Sequence, residues 1–167
     1  MKFQLIIAGM LLLSLVCNSQ VYNVPQNQPS TKEEFLKSEP DFIKASNWLE
    51  STAIDKESYS RKKTNAWVIV WITNSPTVTV NMHANVLKPF DKNPDLLAVF
   101  MAGYARYVIE NNYDKDDFNG NLAGIKSAIK CANLGGDLKK DKNLASLIDS
   151  EKSGKLEEWL KNALEEK

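Results

Sequence analysis

The feature that most constrains the fold is a nearly uncharged stretch from Leu96 to Ile109. Its fourteen residues carry one charged side chain, that of Arg106. The preceding residues Asn93, Pro94 and Asp95 are typical of a helix start, with a cap, a first-turn proline and an acid near the positive helix end. A helix that is apolar nearly all round must be surrounded by other elements. The sequence therefore predicts a central buried helix, too short for the roughly twenty residues that span a bilayer.

Capping residues and apolar spacing predict further helices on both sides of this one. Pro40 suits the first turn of a helix, and Asp141 can cap another. Apolar residues recur at helical spacing from Leu122 to Ala132, ahead of a stop at Gly135, and again from Leu156 to Leu164. The predicted fold is all-α, a compact bundle of about six to eight helices.

Segment 66–82 allows two interpretations. Its β-branched residues, the turn-forming sequence from Asn74 to Thr77 and the Thr-Val alternation that follows favour a β-hairpin. However, Trp67 and Trp71 are four residues apart and share a face in a helix, and the neighbouring segments are helical. We predict a buried helix that ends before Pro76. An α+β fold with one hairpin at 66–82 is the alternative.

The first nineteen residues have the pattern of an export signal. A positive start precedes an apolar run from Leu5 to Val16, which is shorter than a membrane span. Cys17 and Ser19 are small residues at the positions that suit a cut before Gln20, so we predict a periplasmic or secreted protein. A lipid anchor at Cys17, as in an outer-membrane lipoprotein, is the alternative.

The residues after the signal divide into a linker and one domain. Segment 20–30 contains two prolines, several amides and no charge, so it is predicted to be a flexible tether. Ser30 and Glu33 have the spacing of a capping box, and ordered structure is expected to follow over residues 31–167. Within this domain Cys131 has no partner for a disulfide, and we interpret it as a buried small residue.

Composition and motifs exclude several classes of function. The chain has 21 basic and 21 acidic side chains, and this balance argues against a nucleic-acid partner. The sequence has no Cys-x-x-Cys, no His-Glu-x-x-His, no phosphate loop and no dinucleotide-binding motif. A calcium loop after Asp114 fails because Lys115 and Lys126 occupy positions that need carboxylates. No catalytic residue, metal or cofactor is predicted, and no transmembrane segment beyond the signal.

Five side chains are candidates for a ligand site. Arg106 interrupts the most apolar helix, and its guanidinium could hold an anionic ligand or form an ion pair with a neighbouring helix. Tyr107 lies beside it. Trp67 and Trp71 could stack on a ring or pack in the core. His83, the single histidine, could act as a base or have a structural role.

Three short segments make the chain similar to a known group of proteins. They are WITNSP at 71–76, KNPDLL at 92–97 and GKLEEW at 154–159. By these segments the chain resembles small exported helical proteins of unknown function from Bacteroidota-type bacteria, over about residues 31–167. The resemblance implies an all-α fold and no mechanism, so no functional residue follows from it.

Two functions fit these observations. The first is an exported, non-enzymatic helical module that binds a partner protein of the envelope or the exterior, or an envelope component. The second is a small-ligand-binding protein or a carboxylate-dependent hydrolase with a pocket near Arg106. A cavity with convergent polar groups around Arg106 would favour the second.

Overall fold

A computed structural model describes residues 22–165 of the chain. The predicted export signal at 1–19, the cut before Gln20 and the lipid site at Cys17 lie outside these residues. Within 22–165 there are seven α-helices and no strand, which confirms the all-α prediction. The helices are α1 (Lys32–Ser51), α2 (Ser58–Asn74), α3 (Ala84–Leu87), α4 (Pro94–Glu110), α5 (Asp117–Asn133), α6 (Lys142–Lys152) and α7 (Leu156–Glu165), with a 3-10 turn at Lys88–Phe90 between α3 and α4.

Helix α4 is the centre of the bundle, as its apolar sequence predicts. It packs against α1, α2 and most extensively α5. Glycines let α4 and α5 approach closely: a Cβ at Gly124 would lie 2.7 Å from the Phe100 backbone oxygen, and one at Gly103 would collide with the Ser127 side chain. None of the described helices is long and apolar enough to cross a membrane.

Helix α1 is one continuous helix, and the prediction that Pro40 begins a second helix is wrong. Proline within a helix removes one hydrogen bond and costs about 3 kcal/mol. Here the ring of Pro40 is exposed, while Phe35 and Phe42 on either side of it are buried, so continuing the helix keeps both rings in the core. The capping box lies one residue later than predicted, with Thr31 and Glu34 bonding to each other's backbone N–H.

Segment 66–82 forms the second half of α2 and an irregular connection, not a hairpin. The helix ends at Asn74, before Pro76 as predicted, although it begins earlier, at Ser58. Its buried face carries Trp67 and Trp71, which pack on α1. Burial of two tryptophans one helical turn apart therefore outweighs the strand propensity of the β-branched residues.

The segment predicted as a tether is irregular from residue 22 to residue 30, and we call this part the N-terminal arm. The arm lies along the bundle: the Tyr22 ring stacks on Trp48 of α1, and Trp67 of α2 donates a hydrogen bond to the Asn27 carbonyl. Its described residues are therefore attached to α1 and α2 by side-chain contacts.

Candidate functional site

Three helices meet at one buried carboxylate, that of Glu50 at the end of α1. Arg106 of α4 donates to Glu50 Oε2 at 2.8 Å, and Lys130 of α5 donates to Oε1 at 2.6 Å. Glu50 is 6% exposed. Burial by itself raises the pKa of Glu50, but the hydrogen bonds from Arg106 and Lys130 outweigh burial and hold the pKa below its ordinary value of 4.5.

The other nitrogen atoms of Arg106 also have polar neighbours. Nη1 bonds to the Asn47 side-chain oxygen, Nη2 lies 3.3 Å from Ser127 Oγ, and Nε lies 3.9 Å from a Glu110 oxygen. This is the ion pair with a neighbouring helix that was the second of the two interpretations of Arg106. A ligand-holding role for Arg106 stays a prediction.

The side chain of the other arginine of the chain also contacts the end of α1. Arg61 of α2 is 2% exposed, and its Nη2 donates to the carbonyls of Leu49 and Thr52. The carbonyls at the end of a helix carry partial negative charge, which a guanidinium complements. Cys131 lies beside this contact with its Sγ 3.5 Å from the Thr52 oxygen, and burial raises the pKa of its thiol, as suits an unreactive core residue.

The two predicted tryptophans, Trp67 and Trp71, are buried against α1. Trp71 is 0% exposed, lies 4.3 Å from the Phe42 ring centroid and donates to Ser38 Oγ. Trp71 contacts α1 at Ser38 and Phe42, whereas Arg106 contacts it at Asn47 and Glu50, five or more residues further along. The Trp67/Trp71 pair and Arg106 therefore contact different parts of α1.

Tyr107 and His83 each bond to an acid near the start of α5. The Tyr107 hydroxyl donates to Asp114 at 2.7 Å, and this bond raises the pKa of Tyr107. His83 Nε2 lies 2.5 Å from Asp117 Oδ2, while Tyr104 donates to the other oxygen of Asp117 at 2.9 Å. Burial and, as the smaller cause, the hydrogen bond to Asp117 raise the pKa of Tyr104 to about 12.

A carboxylate that orients a histidine is one part of a general-base arrangement. The proton that such a histidine removes can come from a substrate, from water or from a protein side chain. No side-chain hydroxyl or thiol bonds to His83 within residues 22–165, and no three His, Cys, Asp or Glu side chains there are placed to hold a metal. The bond between His83 and Asp117 fastens the connection before α3 to α5.

A separate cavity of about 320 Å³ lies between α3, the 3-10 turn that follows it, α6 and α7, and we call it the polar cleft. Its volume is within the usual range for small-molecule sites. The polar and aromatic residues that line it are Asn85, Lys88, Asn143, Ser146, Trp159 and Asn162. None of the five predicted site residues is in its lining.

Among the described residues that line the polar cleft, one is charged and three are asparagines. Lys88 is its charged lining residue, and Asn143 and Asn162 present exposed amides, each with two donors and an acceptor. Trp159 is partly exposed at its edge. Amides that donate and accept beside an indole ring suit a neutral ligand with many hydroxyl groups and an apolar ring face.

The sequence analysis predicted neither Glu50 nor the residues of the polar cleft, for different reasons. Glu50 carried a usable signal, because it lies four residues after Ser46 and eight after Phe42, the helical spacing of the buried face of α1. The residues of the polar cleft carried none: Asn143 and Asn162 are ordinary exposed residues of two separate helices until the bundle brings them together.

Fold and site together define the class: an all-α helical bundle with ion pairs at the buried Glu50 carboxylate and a polar cleft at its surface. No protein-family model, curated protein or solved structure matches the chain.

Proposed function

We propose that this protein is an exported, non-enzymatic module that binds a glycan of the cell envelope in the polar cleft. The observation that supports this proposal is the set of residues that converge there from three helices, with amides, a hydroxyl and an indole ring around about 320 Å³. A glycan is the envelope component whose chemistry fits, because its hydroxyls both donate and accept while its ring faces are apolar.

The geometry of the lining supports the same ligand class. Asn143 and Ser146 are three residues apart on α6, and Trp159 and Asn162 are three apart on α7, so each helix turns two of these side chains to one side. Trp159 adds an aromatic ring to the lining. Lys88 adds one positive charge, so neutral and weakly acidic sugars fit better than basic ones.

Titration calorimetry with neutral and acidic oligosaccharides tests the proposal. The variants are Asn143→Ala and Asn162→Ala, alone and combined, because both side chains are exposed and their loss leaves the core intact. Each lost hydrogen bond of about 1 kcal/mol weakens binding about fivefold, and the double variant weakens it more than tenfold. The Trp159 indole signal in NMR spectra should shift on binding.

Asn133→Ala is the matched control, since Asn133 is an exposed helical asparagine at the end of α5, outside the polar cleft. It should bind like the unmodified chain. The proposal is wrong if none of the oligosaccharides binds, or if the double variant binds as tightly as the Asn133 control.

A further inference from the structure

The buried guanidinium of Arg61 has no acidic partner. No carboxylate of residues 22–165 forms an ion pair with it. Nη2 donates to the carbonyls of Leu49 and Thr52, but Nε and Nη1 are buried without a hydrogen-bond partner among the same residues. The Cys131 thiol also lies near Arg61, but a thiol is a weak acceptor. A buried charge costs free energy unless it is paired, so an anion that reached Nε or Nη1 would stabilise Arg61.

Arg61 lines a cavity of about 390 Å³ beside α2 and α4, and we call it the α2–α4 cavity. Asn65, one helical turn after Arg61, lines it as well. The Asn65 amide donates to Asp95 at 2.8 Å, while its side-chain oxygen is buried without a partner among residues 22–165. Arg61 is 2% and Asn65 9% exposed. Two buried side chains of one cavity therefore carry polar atoms that the described chain does not satisfy.

The positive ends of two helices meet at the α2–α4 cavity. Ser58 and Pro94 are the first residues of α2 and α4, and both line it. Neither helix has a hydrogen bond from the side chain of its capping residue, and helix N-termini favour anions. Lys62, which is exposed, adds a positive charge to the lining, and Asp95 adds a negative one. With Arg61, two cations face one acid, which favours a ligand with a single negative charge.

The other lining residues of the α2–α4 cavity are apolar. They are Ile54, Ile69, Pro94 and Ala98. The cavity volume is within the usual range for small-molecule sites, and a bare inorganic ion would leave most of it open. An acid with a short apolar chain fits both parts of the lining, because the chain can lie against the isoleucines while the charge lies near Arg61.

We propose that the α2–α4 cavity binds a monocarboxylate with a short apolar chain, whose carboxylate pairs with Arg61 and Lys62. The ligand supplies the anion that the described chain does not provide for Arg61. Nε and Nη1 are buried, so a lining side chain such as Asn65 moves aside as the carboxylate enters. The α2–α4 cavity and the polar cleft have no lining residue in common, so this inference does not depend on the glycan proposal.

NMR titration of the protein with hexanoate at neutral pH tests the proposal. We expect hexanoate to shift the Nε–H signal of Arg61 and to bind at least about tenfold more tightly than acetate, because each buried methylene strengthens binding about fourfold. Hexanol has the same chain without the charge. It should bind at least about tenfold more weakly than hexanoate, because it forms no charge-assisted hydrogen bond with Arg61.

The variants leave Arg61 in place, because its Nη2 also holds the end of α1. Lys62→Glu changes an exposed residue of the lining and should weaken hexanoate binding at least about fivefold. Lys63→Glu is the matched control: it changes the net charge equally at an exposed residue of α2 outside this lining, and hexanoate affinity should change less than about twofold.

Three results would overturn the inference. Hexanoate could leave the Nε–H signal of Arg61 unchanged, which would show that solvent alone occupies the α2–α4 cavity. Hexanol could bind as tightly as hexanoate, which would show that the cavity does not select for negative charge. The Lys62→Glu variant could bind hexanoate as tightly as the Lys63→Glu control, which would place the ligand elsewhere on the surface.

Discussion

Arg106 of α4 donates to Glu50 of α1 at 2.8 Å, and this bond brings the one charged side chain of stretch 96–109 to a carboxylate near the end of another helix. Lys130 of α5 holds the second oxygen of the same carboxylate. Three helices are thus joined at the C-terminal end of α1. The charge of Arg106 is balanced inside the bundle.

Arg106→Leu should therefore destabilise the protein, by about 2 kcal/mol. Breaking a buried ion pair from one side leaves the other charge buried and unbalanced, at a cost of 3–5 kcal/mol, and Lys130 offsets part of that at Glu50. Urea unfolding measures the change. The double variant Arg106→Leu with Glu50→Leu should recover most of the loss, because it removes both charges. A single variant as stable as the unmodified protein would contradict this structural role.

The lowered pKa of Glu50 predicts a loss of stability in acid. Its folded-state pKa lies below the ordinary value of 4.5, so the carboxylate contributes stability that is complete above pH 4.5 and is lost as the pH falls through the folded-state pKa. Glu50→Gln removes this contribution. The difference in unfolding free energy between the two proteins should be constant from pH 7 to about pH 5.5 and shrink below pH 4.5.

Subtracting the variant from the unmodified protein cancels the other carboxyls with lowered pKa values, such as Asp114 and Asp141. Unfolding curves at half-unit pH intervals provide the measurement. A difference that stays constant down to pH 3 would contradict the lowered pKa of Glu50.

The close approach of α4 and α5 predicts that Gly124→Ala is destabilising. Alanine normally favours a helix over glycine by about 1 kcal/mol, but here the new methyl would lie 2.7 Å from the Phe100 carbonyl oxygen. Overpacking of this kind costs about 1–3 kcal/mol, and more against backbone, so we expect a net loss of about 2 kcal/mol in urea unfolding.

Gly103→Ala is the comparison, because the Ser127 side chain is the nearest obstruction there. Adding Ser127→Gly should restore part of the stability of Gly103→Ala and none of that of Gly124→Ala. Equal recovery in both chains would show that the helices separate instead of keeping their spacing.

Asn93 links the start of α4 to the segment before α6. Its amide donates to the Lys139 carbonyl at 3.0 Å and accepts from the Lys139 N–H at 2.8 Å, and the residue is 5% exposed. Asn93→Ala removes both bonds and should cost about 2 kcal/mol. Hydrogen exchange of the Lys139 amide should become faster, whereas Asn133→Ala should change neither quantity. Unchanged protection of Lys139 would refute the link.

Local patterns predicted the helices well where the local and tertiary preferences agree. The start of α4 at Pro94, the cap of α6 at Asp141 and the end of α2 before Pro76 are all present. The prediction at Pro40 is wrong because it considered only the local preference of proline against a helix interior. Burial of Phe35 and Phe42, which a continuous helix allows, outweighs that preference.

Side-chain partners were less predictable than helices. The position of Asn93 predicts that its side chain caps α4. The side chain bonds instead to Lys139, 46 residues later in the chain. The polar cleft is a stronger example: its residues come from three helices, and nothing in their local sequence relates Asn143 to Asn162.

By itself the sequence determined the all-α class and the central position of α4, because apolar periodicity and caps act over a few residues and are written in the chain. It also marked Arg106 as the charge to explain. The tertiary structure decided what that charge does: Glu50 lies 56 residues earlier in the chain, and the packing of α1 on α4 brings the two together. Partners distant in sequence meet through packing, and no local pattern encodes them.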